Sequence, residues 1–94
     1  MYYTYVLESL KDGDNYVGFT NNLRERLAAH QKGSSFATKS RRLLHLIYLE
    51  GCLNREDAQR RERFLKSSDG RFYIKRRLRE YYRSRTTGYG RISD

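Results

Sequence analysis

Glu62 is a carboxylate in an unusual setting. Ala58 lies four residues before it and Leu65 three after it, so on a helix the acid falls at or beside the apolar face. Carboxylates seldom turn inward without a partner. With Arg60, Arg61 and Arg63 close in sequence, the ordinary reading is a surface ion pair or a partly buried salt bridge. The sharper reading is a hard-cation ligand, because Mg²⁺ is commonly held by one or two carboxylates while waters and a substrate phosphate complete its octahedron.

Tyr5 and Tyr16 form a second candidate group. Each lies in a β-forming run, and a turn-forming stretch separates the runs, so the two phenols become neighbours if the runs pair. Packing is the ordinary role of such tyrosines. A phenol serves as a base only where cations or a metal-bound water favour its ionised form. Asn22, Arg26 and His30 follow at helical spacing and make one polar row. That row reads either as a solvated helix face or as a clamp, since a guanidinium suits bidentate phosphate binding and the charge of a pentacoordinate phosphorus.

The elements that must position these groups follow from pattern. Strands are expected over about 2–9 and 14–19, joined by Lys11-Asp12-Gly13-Asp14-Asn15, whose residues tolerate left-handed backbone angles. Thr20 is the expected cap of a helix with Leu23 and Leu27 on its inner stripe, stopping near Gly33. Residues 33–42 have the composition of a basic loop, able to wrap a phosphate backbone. A mostly apolar run over 43–49 reads as a third, buried strand ending near Gly51. Asn54, followed by Glu56 and Asp57, opens a helix expected to reach about Ser68. Ile74, Leu78, Tyr81 and Tyr82 then describe a final amphipathic helix over about 71–83, with a weakly ordered tail over 84–94. The expected fold is α/β (α+β): a three-stranded sheet flanked by three helices in the order ββαβαα.

Bulk properties narrow the partner. The chain has 94 residues, room for one domain, and a formal net charge of +9, which favours a polyanion such as nucleic acid. Nine tyrosines and four phenylalanines accompany that charge, and rings among basic groups serve either as core or as a surface for stacking bases. Cys52 is the single cysteine, so no intramolecular disulfide forms and a reducing cytoplasm is the expected compartment. No signal segment or membrane-length apolar run is present, so a soluble protein without membrane association is expected.

Taken together, Tyr3-Thr4-Tyr5, Tyr16-Val17-Gly18-Phe19-Thr20, Leu23-Arg24-Glu25-Arg26-Leu27-Ala28-Ala29-His30 and Arg61-Glu62-Arg63-Phe64-Leu65-Lys66 resemble the GIY-YIG nuclease superfamily, in particular its small stand-alone prokaryotic branch. The resemblance covers about residues 2–80, with Tyr5 and Tyr16 spaced by 11 positions and Tyr16 and Arg26 by 10. It implies a three-stranded antiparallel sheet, residues 1–83 as the nuclease domain, and an active site beside the first helix. It further implies Glu62 as ligand of Mg²⁺ (or Mn²⁺), Arg26 as the transition-state clamp, Tyr16 as preferred general base, Tyr5 as water-orienting partner and His30 as proton relay or phosphate contact. Lys39, Arg41, Arg42 and Lys66 are the expected contacts to the nucleic-acid backbone. The sequence departs from the family's pattern in reading Tyr3-Thr4-Tyr5 for Gly-Ile-Tyr, and in placing Phe19 where some members carry a polar or basic side chain.

The function so implied is a divalent-metal-dependent endonuclease hydrolysing DNA phosphodiester bonds, structure- or damage-directed, with little base readout. RNA stands as the alternative substrate, and a monomer or transient homodimer as the working form. The competing class is a non-catalytic nucleic-acid-binding module of the same fold, which needs only the Lys/Arg surface. A third is a small basic protein docked on a ribosome or larger complex. Retention of Tyr5, Tyr16, Arg26 and Glu62 together favours the enzyme.

Overall fold

In the computed structural model, which describes residues 1–32 and 44–86, the aromatic and β-branched run Tyr2–Ser9 forms strand β1 and Asn15–Thr20 forms β2. Gly13 takes a φ of 80° in the turn between them, a left-handed conformation that costs glycine little. Ser9 Oγ accepts hydrogen bonds from the Lys11 N–H at 3.1 Å and the Asp12 N–H at 3.4 Å, so the turn's backbone donors find partners locally. Strand β3, Leu44–Cys52, pairs with the other side of β1, and all pairings are antiparallel in the order β2-β1-β3. The three-stranded antiparallel sheet and the ββαβαα order are as expected.

The expectation of a buried third strand is corrected. Strand β3 lies at the sheet's edge, where Leu44 is buried but Leu46 and Leu49 are 36% and 43% exposed. A bulge contributes to this: Val6 pairs with Tyr48 and Leu7 with Leu46, so Ile47 is an extra residue and the alternation shifts.

Helix α1, Leu23–Gln31, is capped two residues after the expected position. Asn22 Oδ1 accepts from the Glu25 N–H at 3.1 Å, whereas Thr20 stays in β2 and its hydroxyl accepts from the Asn22 N–H at 3.0 Å. Asn54 caps helix α2, Arg55–Lys66, as expected, accepting from Glu56 at 2.8 Å and Asp57 at 3.1 Å. The next helix, α3, spans Ser68–Arg77, capped by Ser67 through the Gly70 N–H at 3.1 Å. The single final helix expected over 71–83 is therefore two: the backbone leaves helical geometry at Leu78 (φ −108°, ψ 38°) and α4 continues over Arg79–Thr86. Asp69 and Gly70 fall in α3's first turn, where a carboxylate faces the positive end of the dipole.

The chain divides into two compact units, Met1–Arg63 and Phe64–Asp94. In the first, Tyr5, Leu7 and Leu44 form a buried cluster against which Tyr16, Leu23 and Leu27 pack. Each fully buried side chain of that size contributes about 1.5–3 kcal/mol. In the second unit Leu65 and Ile74 are buried, and the Phe64 and Tyr73 rings meet edge to face at 5.8 Å. Among the described residues no helix is long and apolar enough to cross a membrane.

Candidate active site

Strand register brings the two tyrosines together. Tyr5 pairs with Gly18 and Leu7 with Tyr16, so Tyr5 and Tyr16 share the sheet face that carries the buried cluster. Tyr5 is 2% exposed, and the Tyr16 hydroxyl oxygen is buried as well. The Tyr5 ring lies directly over Gly18: a β-carbon there would overlap the Tyr5 hydroxyl and Cζ and stand 2.7 Å from Cε1. Glycine is thus required at this position by close approach, since the strand itself has no special need of it.

From the helix side, His30 closes the group. Its Nε2 and the Tyr5 Oη share a hydrogen bond of 3.0 Å, and the two rings meet edge to face at 5.8 Å. The polar row expected along α1 is therefore graded: Asn22 caps the helix, Arg26 is exposed, and His30 is buried two turns later against Tyr5.

The charges around Tyr5 set its state. Burial pushes its pKa above the ordinary 10.0, with Arg26 pulling it down and Glu62 pushing it up, so the phenol keeps its proton at neutral pH. Burial, and then the Arg26 charge, hold the His30 imidazole below its ordinary 6.5. An unprotonated imidazole beside a protonated phenol is a ready path for one proton. Arg26 and Glu62 both act electrostatically on the Tyr5 hydroxyl.

Glu62 is half-buried on α2, a helix tied to the sheet by two neighbours of Glu62. One turn before it, the Ala58 carbonyl accepts a buried hydrogen bond of 2.9 Å from the Thr4 hydroxyl on β1. Immediately before it, Arg61 forks onto Glu50 of β3, Nε donating to Oε1 at 2.8 Å and Nη2 to Oε2 at 2.9 Å. Tyr48 donates to the same carboxylate at 2.8 Å. Burial raises the Glu50 pKa, but the hydrogen bonds from Arg61 and Tyr48 and the Arg61 charge outweigh it, and the carboxyl is held below its ordinary 4.5. The Thr4 and Arg61 contacts fix α2 against two strands and thereby position Glu62.

Glu62 fits a divalent cation by its donor chemistry: a single hard oxygen donor is enough where waters and a substrate phosphate supply the rest. Among the described residues no group of three His, Cys, Asp or Glu side chains could hold an ion by itself. Lys39, Arg41 and Arg42 lie outside the described residues, and Lys66 is exposed at the end of α2. Thr4, Gly18 and Glu50 went unnoticed as positioning residues in the sequence, where only the Thr4 and Gly18 positions within the two motifs were a signal.

A family model described as the GIY-YIG catalytic domain matches residues 1–73. A UPF0213 protein of Streptococcus pneumoniae serotype 4 is 42% identical over 65 residues, covering 68% of this chain and 65% of that protein. A UPF0213 protein of Clostridium perfringens is 40% identical over 67 residues, covering 70% and 71%. One of Lactiplantibacillus plantarum is 44% identical over 64 residues, covering 65% and 62%. The chain thus spans about 65% of the length of the Streptococcus pneumoniae relative. No solved structure matches. The family model is described as that of a catalytic domain. A chain whose residues 1–73 fit that model, and whose sheet sets Tyr5, Gly18 and Tyr16 on one face beside His30, belongs to the GIY-YIG family.

Proposed function

We propose that this chain is a divalent-metal-dependent endonuclease that hydrolyses DNA phosphodiester bonds, selecting DNA by structure or damage and not by base sequence. The observation that carries this reading is the 3.0 Å hydrogen bond between the buried Tyr5 hydroxyl and His30 Nε2, under the fields of Arg26 and Glu62.

Tyr5 is too weak an acid to exist as a phenolate at neutral pH, so it accepts a proton from the attacking water only while passing its own to His30 Nε2. The water's oxygen forms the new bond to phosphorus, the bond to the 3′ oxygen breaks, the departing 3′ oxygen takes a proton from solvent to become a hydroxyl, and the imidazolium gives its proton back to solvent. In this reading the roles expected of the two tyrosines are exchanged, and Tyr16, on the same face, orients the water. Arg26 compensates the extra negative charge on the phosphorus oxygens. Glu62 would hold Mg²⁺ or Mn²⁺, which when bound would supply Lewis-acid stabilisation of the negative charge that builds up at the phosphate.

Purified protein is incubated with supercoiled, branched and single-stranded DNA and with RNA, with Mg²⁺ or chelator, beside Glu62→Gln and Tyr5→Phe. Metal-dependent cutting by the wild type, lost in both variants while binding persists, is the expected result. Wild-type protein that binds DNA and cuts none of these substrates with any divalent metal overturns the reading.

A further inference from the structure

Outside the reacting group, the outer edge of β2 carries a second arrangement. Phe19 pairs with Thr4, and Tyr2 lies two residues along β1 on the same face, so the two rings are diagonal neighbours. Their planes are 2° apart and their centroids 6.0 Å apart. That separation lies toward the long end of the roughly 4.5–7 Å aromatic range, so the rings do not cover each other face to face. The Arg55 guanidinium carbon stands 6.0 Å from the Phe19 centroid. Together with Thr20, Asn21 and Arg26, these three side chains line a cavity of about 210 Å³.

This volume is below the roughly 300–1,000 Å³ of pockets that enclose drug-sized molecules, and suits a single flat group. Aromatic and guanidinium planes accept the π-face of any base, and the two guanidinium charges complement the phosphate attached to it. The Asn21 amide offers both a donor and an acceptor to a base edge. Tyr2 and Phe19 lie on the sheet face opposite Tyr5, and Arg26, which lines the cavity and also acts electrostatically on Tyr5, is the group an occupant and the reacting site share.

We infer that this cavity is a stacking subsite for the base of one unpaired nucleotide flanking the scissile phosphate of a DNA strand. The inference rests on the nuclease reading for the word scissile, and on the cavity alone for the stacking. A base inside a duplex is already covered on both faces and must leave the stack before it can enter. Single-stranded, flapped or mismatched DNA is therefore preferred over a perfect duplex, whatever its sequence.

The test separates stacking from cutting. Glu62→Gln protein, in chelator, is titrated with an oligonucleotide carrying 2-aminopurine, either single-stranded or fully paired, and the probe's fluorescence and the affinity are recorded. Quenching on the single strand, and affinity at least about tenfold above the duplex, are expected. Adding Phe19→Leu should abolish the quenching and weaken single-strand binding by roughly 5- to 100-fold, the range for losing one stacked base. Phe19→Trp should restore both. Arg55→Gln, at an exposed position, should weaken binding in the same direction, so the claim does not depend on Phe19→Leu folding well. Equal affinity for paired and unpaired DNA, or undiminished quenching in folded Phe19→Leu protein, overturns the subsite. If single-strand quenching is seen but the wild type cuts nothing with Mg²⁺, the nuclease reading falls and the subsite stands.

Discussion

The Tyr5 ring crosses β2 over Gly18 so closely that its hydroxyl occupies the space a β-carbon on residue 18 would need. The glycine of the second motif therefore exists for the tyrosine of the first. Tyr5 is buried and bonded to His30, so it has no free direction in which to yield. Gly18→Ala should destabilise the protein by about 1–3 kcal/mol, the usual cost of overpacking, read from urea midpoints. In a Tyr5→Ala background the same change should cost much less; additive effects would show that the two positions do not meet.

Tyr5→Phe separates chemistry from packing. The ring stays, and only the bond to His30 is lost, so stability should change by about 1 kcal/mol. Cleavage should fall by about 10²- to 10⁴-fold, the ordinary worth of a general base. A comparable loss in Tyr16→Phe with full activity in Tyr5→Phe would reassign the proton acceptor to Tyr16.

Thr4→Val keeps the shape of a buried side chain and removes its hydrogen bond to the Ala58 carbonyl. Stability should drop by about 1–3 kcal/mol, since a buried acceptor loses a partner. Because Ala58 is one turn before Glu62, the Mg²⁺ concentration needed for half-maximal cutting should rise. An unchanged metal requirement would mean that the Arg61–Glu50 fork alone positions Glu62.

Acidification should act through His30. Its folded pKa lies below 6.5, so the unfolded chain takes up a proton first; the associated stability is present above about pH 6.5 and is lost as pH falls through the folded value. Cleavage should lose an acid limb in the same window, as the imidazolium cannot accept the Tyr5 proton. At the other extreme the folded protein holds the Tyr5 proton above pH 10.0, so stability declines as pH rises beyond that. In His30→Gln the acid limb of the stability profile should shrink; its persistence at full size would point to another group.

Much of this protein is legible in its residues. The aromatic and β-branched run Tyr2–Ser9, the Gly13 turn, and the Asn54 cap are local signals, and local signals determine strand, turn and helix start without reference to the rest of the chain. The spacing of Tyr5, Tyr16, Arg26 and Glu62 likewise identified the family, which the matched domain model bears out. Three things were decided only by the folded chain. The edge position of β3 depends on strand order, a non-local property, so an apolar run alone read as buried. The cap of the first helix fell on Asn22 and not on Thr20, two residues that composition ranks almost equally, and the final helix divides at Leu78, where the backbone leaves helical geometry. Last, whether a tyrosine and a histidine 25 positions apart touch is a matter of register between β1, β2 and α1, and a slip of one residue would have turned Tyr5 away from His30 altogether.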